Sequence, residues 1–501
     1  MTVAQSKIFH FHLQALAGVF IALTTYAFTA CSNSEFAGLD AEEASVIHCR
    51  DSNGKDSSTQ ENIHKTDSLQ SNSPLVNSNK KDTTAQENLG KADSLQTISS
   101  QTDSTIIEPE NIDSAILSER ICDTIIDYLP LDDTEYPYAG IPRIVIETEN
   151  HQAIKDRETE IPAKLQIWGE KAPESEIMEL TIKGRGNSTW GKPKKPYTVK
   201  FEKKQSFLGM AKAKKWVFLA NYLDRTLIRN ATALEIARKT SLEWVPSGKF
   251  AEVVLNGKYQ GNYFVCEKIQ IDENRLNIGK NAYLLEFDKN YDEEFKFKSP
   301  IKKLPVNIKN PNTPSKEQLA YITAYIDTIE CILYGECKNH AIENHLNFQS
   351  FADYLIVYEL TENTEPLHPK SVYMYKDSGP LKAGPVWDFD WGTFIESKVN
   401  GWRVNRALWY SALFKNQAFK KIIRDNWEQY KSDFEQIPQF IDSLADYIKE
   451  SNNRNIAIWP INTQAPVFPD KDKTFDEAIL MLKQTYSTRI NELDSLFTSL
   501  H

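Results

Sequence analysis

Alternation of apolar and polar residues begins at about Tyr136 and predicts several β-strands. The segments IPRIVIETE and AKLQIWGE alternate with a period of two, which is typical of strands with one buried face. The same pattern recurs in IMELTIKG, in PYTVKFEK, in FAEVVLNGKYQGNYFVCEKI and in AYLLEFD. In the third of these, Asn256 and Gly257 are suited to the turn of a hairpin. We therefore expect a folded domain over residues 136–501 whose first part, to about residue 290, is rich in strands.

Helical periodicity dominates the second part of this domain, residues 291–501. It is present in EQLAYITAYIDTIECILYG and FADYLIVYEL, and it continues from Ala418 with breaks near Pro438 and across residues 460–469. An earlier helix is predicted over TLIRNATALEIARKT, with Asp224 as its candidate N-cap. The predicted fold class is α+β, with a helical carboxyl-terminal part.

Residues 32–135 have a different composition and lack such a pattern. Their only aromatic residues are Phe36 and Tyr128, and Ser, Thr, Asn, Asp and Gln are abundant. Such a segment cannot bury enough apolar surface to offset its chain entropy, so we expect a disordered tether. Within it, KDSSTQENIHKTDSLQ is followed by the related KDTTAQENLGKADSLQ, which indicates a duplicated linker because neither copy has an apolar face.

Charge is also distributed unevenly along the chain. Residues 32–135 carry 21 acidic and 7 basic side chains, a net charge of −14, whereas residues 136–501 carry 48 acidic and 50 basic ones. The net charge of −11 of the whole chain is thus a property of the tether. Since no part of the folded domain is strongly basic overall, nucleic acid is not an expected partner.

The first 30 residues resemble an export signal of the Gram-negative lipoprotein type. Lys7 precedes the uncharged run AGVFIALTTYAFTA, which is too short to span a membrane comfortably. Cys31 then follows in a context that resembles a lipobox, where cleavage exposes a cysteine for acylation. We therefore predict an exported lipoprotein, periplasmic or at the cell surface, that is membrane-anchored through Cys31. Plain secretion without lipid is the alternative.

The remaining cysteines do not form a recognisable framework. Five follow Cys31, and of these only Cys331 and Cys337 are close in sequence. An odd, scattered set does not indicate a disulfide scaffold, and no Cys or His pair has the spacing of a structural zinc site.

The segment GPVWDFDWGTF carries the sharpest chemical signal, because it contains Asp388 and Asp390. If it is a strand, both carboxylates project to one side, about 7 Å apart. Two such oxygen donors suit Mg²⁺ or Mn²⁺ when phosphate supplies the other ligands. A solvated acidic loop or a helix cap is the alternative. The neighbouring residues Trp387, Phe389 and Trp391 argue against an open loop.

A polar loop about twenty residues earlier, within ELTENTEPLHPKSVYMYKD, contains further candidates: Asn363, Glu365, His368 and Ser371. A catalytic loop followed by a metal-binding Asp is the order found in protein kinases. Upstream, the turn GRGNST and Lys200 on a predicted strand also follow that order. A lone glycine turn or a lone lysine is weak evidence, and the collinearity of the elements is what strengthens each of them.

These segments together resemble a known family. RGNSTWGKPKKPYTVKF, WVFLANYLDRTLIRN, VVLNGKYQGNYFVCEKI, YLLEFD and GPVWDFDWG are similar to the pattern of the spore coat protein H (CotH) kinases, over roughly residues 144–394. The resemblance implies a divergent protein-kinase-like fold. It also implies ATP and Mg²⁺ or Mn²⁺ as cofactors, and a protein partner that is phosphorylated on Ser or Thr.

The resemblance also implies roles for individual residues. Metal binding would fall to Asp388 and Asp390, and catalysis to Asn363 and Glu365. The expected ATP-binding residues are Lys200, Gly186, Asn187, Ser188 and Glu267. Less specific candidates, for which ion pairs within the fold are the alternative, are Arg229, Asn230 and Glu235, the last as a partner of Lys200.

One position departs from the family pattern. Relatives commonly carry Asn-x-Asp where this chain has Asn363, Thr364 and Glu365. The extra methylene of Glu moves the carboxylate by about an ångström, and a shift of that size can cost ~10²-fold in rate. An inactive surface-binding or adhesion protein is therefore the alternative function. A glycosidase is less favoured, because no convincing pair of acid and nucleophile is present.

Overall fold

The computed structural model describes residues 128–337, 340–395, 401–460 and 469–501. The predicted export signal, Cys31 and nearly all of the predicted tether lie outside these residues. Within the described ranges, no helix combines the length and the apolar character needed to cross a membrane.

Seven strands form a closed β-barrel in the first part of the domain, in the order β1-β2-β3-β4-β5-β7-β6. The closing pair, β1 with β6, is parallel, and the other neighbours are antiparallel. The strands are β1 (Arg143–Thr148), β2 (Ile161–Trp168), β3 (Met178–Gly184), β4 (Tyr197–Phe207), β5 (Met210–Leu219), β6 (Gly248–Leu255) and β7 (Lys258–Glu267).

The alternating pattern of the sequence explains the barrel core. Tyr197, Val199 and Phe201 of β4 are buried, whereas Lys200 between them is exposed. They pack in one cluster with Trp216 and Tyr263 from the neighbouring strands. A barrel has no free sheet edges, so every strand can bury one face in this way.

A second, five-stranded antiparallel sheet follows, in the order β12-β11-β8-β10-β9. Its strands are β8 (Tyr283–Phe287), β9 (Lys296–Lys298), β10 (Pro305–Asn310), β11 (Val372–Lys376) and β12 (Lys382–Ala383). Glu286 of β8 lies directly between Tyr373 of β11 and Asn307 of β10. This register brings side chains from three distant parts of the sequence onto one face.

Seven α-helices complete the described residues. They are α1 (Arg229–Arg238), α2 (Lys316–Tyr334), α3 (Phe348–Leu360), α4 (Tyr410–Leu413), α5 (Gln417–Phe434), α6 (Ile437–Ile458) and α7 (Phe475–Thr498). Capping boxes at Ser315 and Thr474 begin α2 and α7. Helix α3 is buried almost throughout and lies in the main core. The α+β prediction is thus confirmed, whereas the kinase-like fold stays a prediction, since the strand-rich part is a closed barrel.

Two local expectations differ from the structure. Helix α1 begins at Arg229, and Asp224 instead accepts backbone N–H groups of Thr226 (2.9 Å) and Arg229 (2.9 Å), so it stabilises the irregular turn before the helix. Cys331 and Cys337 form a disulfide at the end of α2, which the scattered cysteine spacing had not indicated.

Candidate functional site

A cavity of about 690 Å³ lies where the barrel meets the second sheet. Most of its lining residues come from segments 183–198, 219–223, 286–293, 365–373 and 387–391. Asn230, on helix α1, also contributes to the wall. The volume falls within the range of small-molecule and cofactor sites. The segments singled out in the sequence, namely the glycine turn, the polar loop and the acidic pair, therefore meet in one place.

The acidic pair lies in irregular backbone after β12, so the prediction of an extended strand was wrong. Asp388 has a left-handed φ of 69°, an uncommon conformation for a residue other than glycine. The two carboxyl groups are near enough to share a hydrogen bond. Burial, together with the neighbouring charge of Asp388, raises the pKa of Asp390 to about 8. The carboxylates thus converge more closely than a strand would allow.

Asn363 supports the loop of the acidic pair through hydrogen bonds within the fold. Its Nδ2 donates to the carbonyl oxygen of Asp388 (3.2 Å) and to Oγ1 of Thr393 (3.1 Å), and its Oδ1 accepts the backbone N–H of Glu365 (2.9 Å). The side chain is fully buried and does not line the cavity. Because both ends of its amide are bonded within the fold, Asn363 positions Asp388 and Glu365, and a direct catalytic role for Asn363 stays a prediction.

Two further side chains fix the loop of the acidic pair. Ser371 Oγ donates to Oδ2 of Asp388 (3.1 Å), and Asn230 Oδ1 accepts the N–H of Phe389 (2.9 Å). The backbone N–H of Ser371 donates to Oδ2 of Asp288 (3.3 Å), another carboxylate of the cavity. Ser371 and Asn230 were candidates from the sequence, whereas Asp288 was not singled out, although it ends the segment YLLEFD that resembles the family.

Glu365 lines the cavity beside the acidic pair, as its sequence position predicted. Burial raises the pKa of its carboxyl to about 9, and the charges of Asp388 and Asp390 act in the same direction, while Lys370 opposes them. Burial and neighbouring like charges favour the protonated form of a carboxyl group, whereas a nearby cation would favour the ionised form. The sequence therefore located Glu365 in the site, and the base role of Glu365 stays a prediction.

The glycine turn forms the opposite rim of the cavity. Gly186 has a φ of +83°, and a Cβ at this position would lie 2.1 Å from Oγ1 of Thr189, so only glycine fits. Arg157 braces the turn by donating to the carbonyl oxygen of Gly186 (2.9 Å) and to Oδ1 of Asn187 (2.7 Å). Gly186, Asn187 and Ser188 all line the cavity, and their contact with the nucleotide stays a prediction.

Cationic side chains also line the cavity, and most were not foreseen. They are Arg157, Lys183, Arg185, Lys192, Lys194, Lys289, Lys309 and Lys370. Lys309 pairs with Glu286 (3.2 Å), which also accepts a hydrogen bond from the hydroxyl of Tyr373 (2.7 Å). These three residues come from β10, β8 and β11, so only the sheet register brings them together. Arg185 lies in the GRGNST motif and could have been considered from the sequence.

Lys200 lies outside this cavity, which corrects the role that the resemblance gave it. Its amine pairs with Glu160 (3.1 Å) on the outer face of β4, and its side chain is 44% exposed. The cavity meets only the beginning of β4, where Thr198 lines it, and two further residues along a strand carry Lys200 about 7 Å away. Glu235 pairs with Arg238 (3.1 Å) and Lys239 (3.4 Å), so the expected pair with Lys200 is absent.

Glu267 and Arg229 likewise have structural partners. Glu267 accepts the backbone N–H of Ser247 (2.8 Å) and lines a separate cavity of about 760 Å³, so the structure does not bring it together with the other predicted nucleotide-binding residues. Arg229 forms buried ion pairs with Asp224 and Asp470. His368 is exposed and does not line the site cavity.

The described residues contain no group of three or more His, Cys, Asp and Glu side chains arranged to hold a metal ion. Asp388 and Asp390 alone supply two hard oxygen donors, so any ion between them would need additional ligands from phosphate or water.

Comparison with known proteins agrees with this geometry. The model of the CotH kinase protein family matches residues 182–493, more than half of the chain. No curated protein matches the chain. The matched range begins in β3 just before the glycine turn, includes Glu365 and the acidic pair, and ends in α7. The chain belongs to the CotH kinase family.

Proposed function

We propose that the cavity binds ATP with Mg²⁺ or Mn²⁺ and transfers the terminal phosphate to Ser or Thr of a protein. The observation that carries this proposal is the arrangement of charge, in which converging carboxyl groups face cationic side chains across one cavity. A metal ion and a phosphate chain would neutralise both sides at once. Family membership supports a kinase-like activity.

The residues of the acidic pair fit a divalent ion on their own chemistry. Like charges and burial disfavour ionisation of Asp390, and a bound cation would remove that cost. When bound, the ion would neutralise charge on the phosphates. Ser371 and Asn363 keep Asp388 in position through the hydrogen bonds to its carboxylate and carbonyl oxygens. The glycine turn would cover the phosphates from the other rim.

Glu365 is the proposed acceptor of the proton from the substrate hydroxyl. Its backbone is fixed by Asn363, and its carboxyl group faces the same cavity as Asp388. A cation at the acidic pair would lower the pKa of Glu365 and so favour the ionised form that a base requires.

A second candidate function is binding without turnover, at the surface of the cell. It is favoured by Glu365 in place of the commoner Asp, and by the Asn363 amide, whose bonds are all made within the fold and which is thus not directed at a ligand. In this case the cavity would bind a ligand but would lack a correctly placed base.

Labelled ATP, Mn²⁺ or Mg²⁺ and a casein-like acceptor distinguish the two functions. The kinase proposal expects transfer by the purified chain, loss of transfer in Asp388→Asn and in Glu365→Gln, and nearly unchanged ATP affinity in Glu365→Gln, since a base contributes little to ground-state binding. A faster Glu365→Asp variant would indicate a detuned kinase. No transfer by any variant, with ATP binding retained, would favour the binding protein.

Export and lipid anchoring at Cys31 are part of the proposal. The disulfide between Cys331 and Cys337 supports an oxidising compartment, where such bonds persist. Cys31→Ala should release the protein from membranes, and mass spectrometry of the wild type should find lipid on Cys31. Membrane retention of the variant would contradict the anchor.

A further inference from the structure

Arg185 occupies an unusual position in the cavity wall. It directly follows β3, its backbone N–H donates to the carbonyl oxygen of Pro196 (3.1 Å), and its guanidinium lies over the ring of Trp387 at 5.8 Å from the centroid. Trp387 immediately precedes Asp388, so the aromatic ring holds the guanidinium beside the acidic pair. The side chain is half-buried.

The guanidinium of Arg185 has no hydrogen bond or ion pair with any residue that the structure describes. Asp388 and Asp390 are near enough to interact electrostatically with the guanidinium. Neither carboxylate has an oxygen within 4.0 Å of a guanidinium nitrogen, so no ion pair is formed. Arg229 provides the contrast, since it contacts both Asp224 and Asp470 (2.5 Å for the latter). Arg185 therefore faces the acidic pair across a gap, with its donors directed at no protein acceptor.

Three lysines of the wall are already engaged by partners within the fold. Lys309 is committed to Glu286 (3.2 Å) and to Glu293, and Lys183 lies 3.7 Å from Glu160. Lys194 is buried and donates to Asn455 (2.8 Å). An arginine also presents a planar fork of N–H donors that matches two phosphate oxygens at once, which a lysine cannot do.

We propose that Arg185, which lies over the ring of Trp387, binds the phosphate chain of the nucleotide from the side opposite the metal-binding Asp388 and Asp390. This inference rests on the proposed function and gives Arg185 the role that the sequence resemblance gave to Lys200. The phosphate chain would occupy the gap, between the guanidinium on one side and the metal ion on the other.

Calorimetric titration of the purified chain with ATP, adenosine and pyrophosphate, each with Mg²⁺, tests the inference. Arg185→Gln should weaken ATP and pyrophosphate binding by about 10- to 100-fold and leave adenosine binding unchanged, because only the phosphates lose a partner. Arg185→Lys should give a smaller loss, and Trp387→Leu a smaller loss in the same direction. Lys200→Gln is the matched control and should bind all three ligands as the wild type does.

The outcomes separate this inference from the proposed function. Equal weakening of ATP and adenosine in Arg185→Gln, or no weakening of either, would overturn the inference while leaving ATP binding by the wild type intact. If the wild type binds neither ATP nor adenosine, the proposed function fails. In that case the titration with magnesium pyrophosphate still tests the contact between Arg185 and phosphate. Weaker binding of pyrophosphate to Arg185→Gln than to the wild type would support the contact, and any other result would overturn it.

Discussion

Buried charges occur in two contrasting arrangements in this protein. Around α7, Arg489 donates to the side chain (2.6 Å) and the carbonyl oxygen (2.9 Å) of Glu359, to Gly401 (2.8 Å) and to Glu492 (3.0 Å). Glu359 also accepts the backbone N–H groups of Arg403 (2.7 Å) and Val404 (2.8 Å). Every charge in this cluster is matched by an opposite charge or a hydrogen bond.

In the cavity the arrangement is reversed. The charge of Asp388 disfavours ionisation of Asp390 and Glu365, and Arg185 lies near all three without contact. Ionising all three carboxyl groups would cost folding free energy, since like charges would then be concentrated and partly buried. Completely paired buried charges are typical of groups that stabilise the fold. Incompletely paired charges in a cavity are instead typical of a functional site.

The largest effect should come from breaking the paired cluster. Arg489→Ala leaves Glu359 buried and without its cation, so we expect a loss of about 3–5 kcal/mol in the free energy of unfolding. Chemical denaturation measures it. The exposed pair of Lys421 and Asp425 is the control, and Lys421→Ala should cost less than about 0.5 kcal/mol. Similar losses in both variants would contradict the contrast between buried and exposed pairs.

Metal affinity of the cavity should depend strongly on pH. Burial and Asp388 raise the pKa of Asp390 to about 8 and that of Glu365 to about 9, so a divalent ion must displace protons at neutral pH. Binding of Mn²⁺ with ATP, followed calorimetrically, should therefore strengthen as pH rises from about 6 to 9. Affinity that is constant over this range would show that these carboxyl groups do not bind the ion.

The ligand-free protein should respond to pH in the opposite direction. A carboxyl group whose pKa is raised on folding stabilises the folded state below its unfolded pKa, and this contribution is lost as pH rises through the folded value. The contribution of these groups to the melting temperature should thus fall as pH rises from about 4 to about 9 and level off above, and Asp390→Asn should reduce the fall. A variant that is less stable than the wild type at pH 9 would mean that Asp390 is stabilising, as in the paired cluster.

The smallest effect is expected for Lys200. Its ion pair with Glu160 is exposed on the outer face of the barrel, so Lys200→Ala should change the unfolding free energy by less than about 0.5 kcal/mol and leave ATP affinity unchanged. A tenfold loss of ATP affinity would show that Lys200 contacts the nucleotide and would contradict its position outside the cavity.

The sequence predicted the parts of the site that are local in the chain. The strands followed from alternation, and Gly186, Glu365, Asp388 and Asp390 followed from motif order. Alternation shows which face of a strand a residue occupies, but not which end of the strand meets a cavity. That limit explains why Lys200 was placed in the site instead of Arg185, which lies beside Pro196, just before β4 begins.

Other features could not be predicted because they depend on tertiary structure. Glu286, Lys309 and Tyr373 meet only through the register of the second sheet, and no local pattern encodes that register. The left-handed backbone at Asp388 is fixed by bonds from Asn363 and Ser371, which lie 25 and 17 residues away. Because of these contacts, the segment is irregular and not extended, and the carboxyl groups of Asp388 and Asp390 lie closer together than a strand would place them.

The central claim is that Asp388 and Asp390 hold a metal ion that bridges the phosphates of ATP. Calorimetric titration of wild type and Asp388→Asn with ATP, with and without Mg²⁺ or Mn²⁺, tests it most directly. The account predicts that the metal strengthens ATP binding to the wild type and has little effect on the variant, while adenosine binds both proteins equally. Wild-type protein that binds ATP as tightly without divalent metal as with it would contradict the claim.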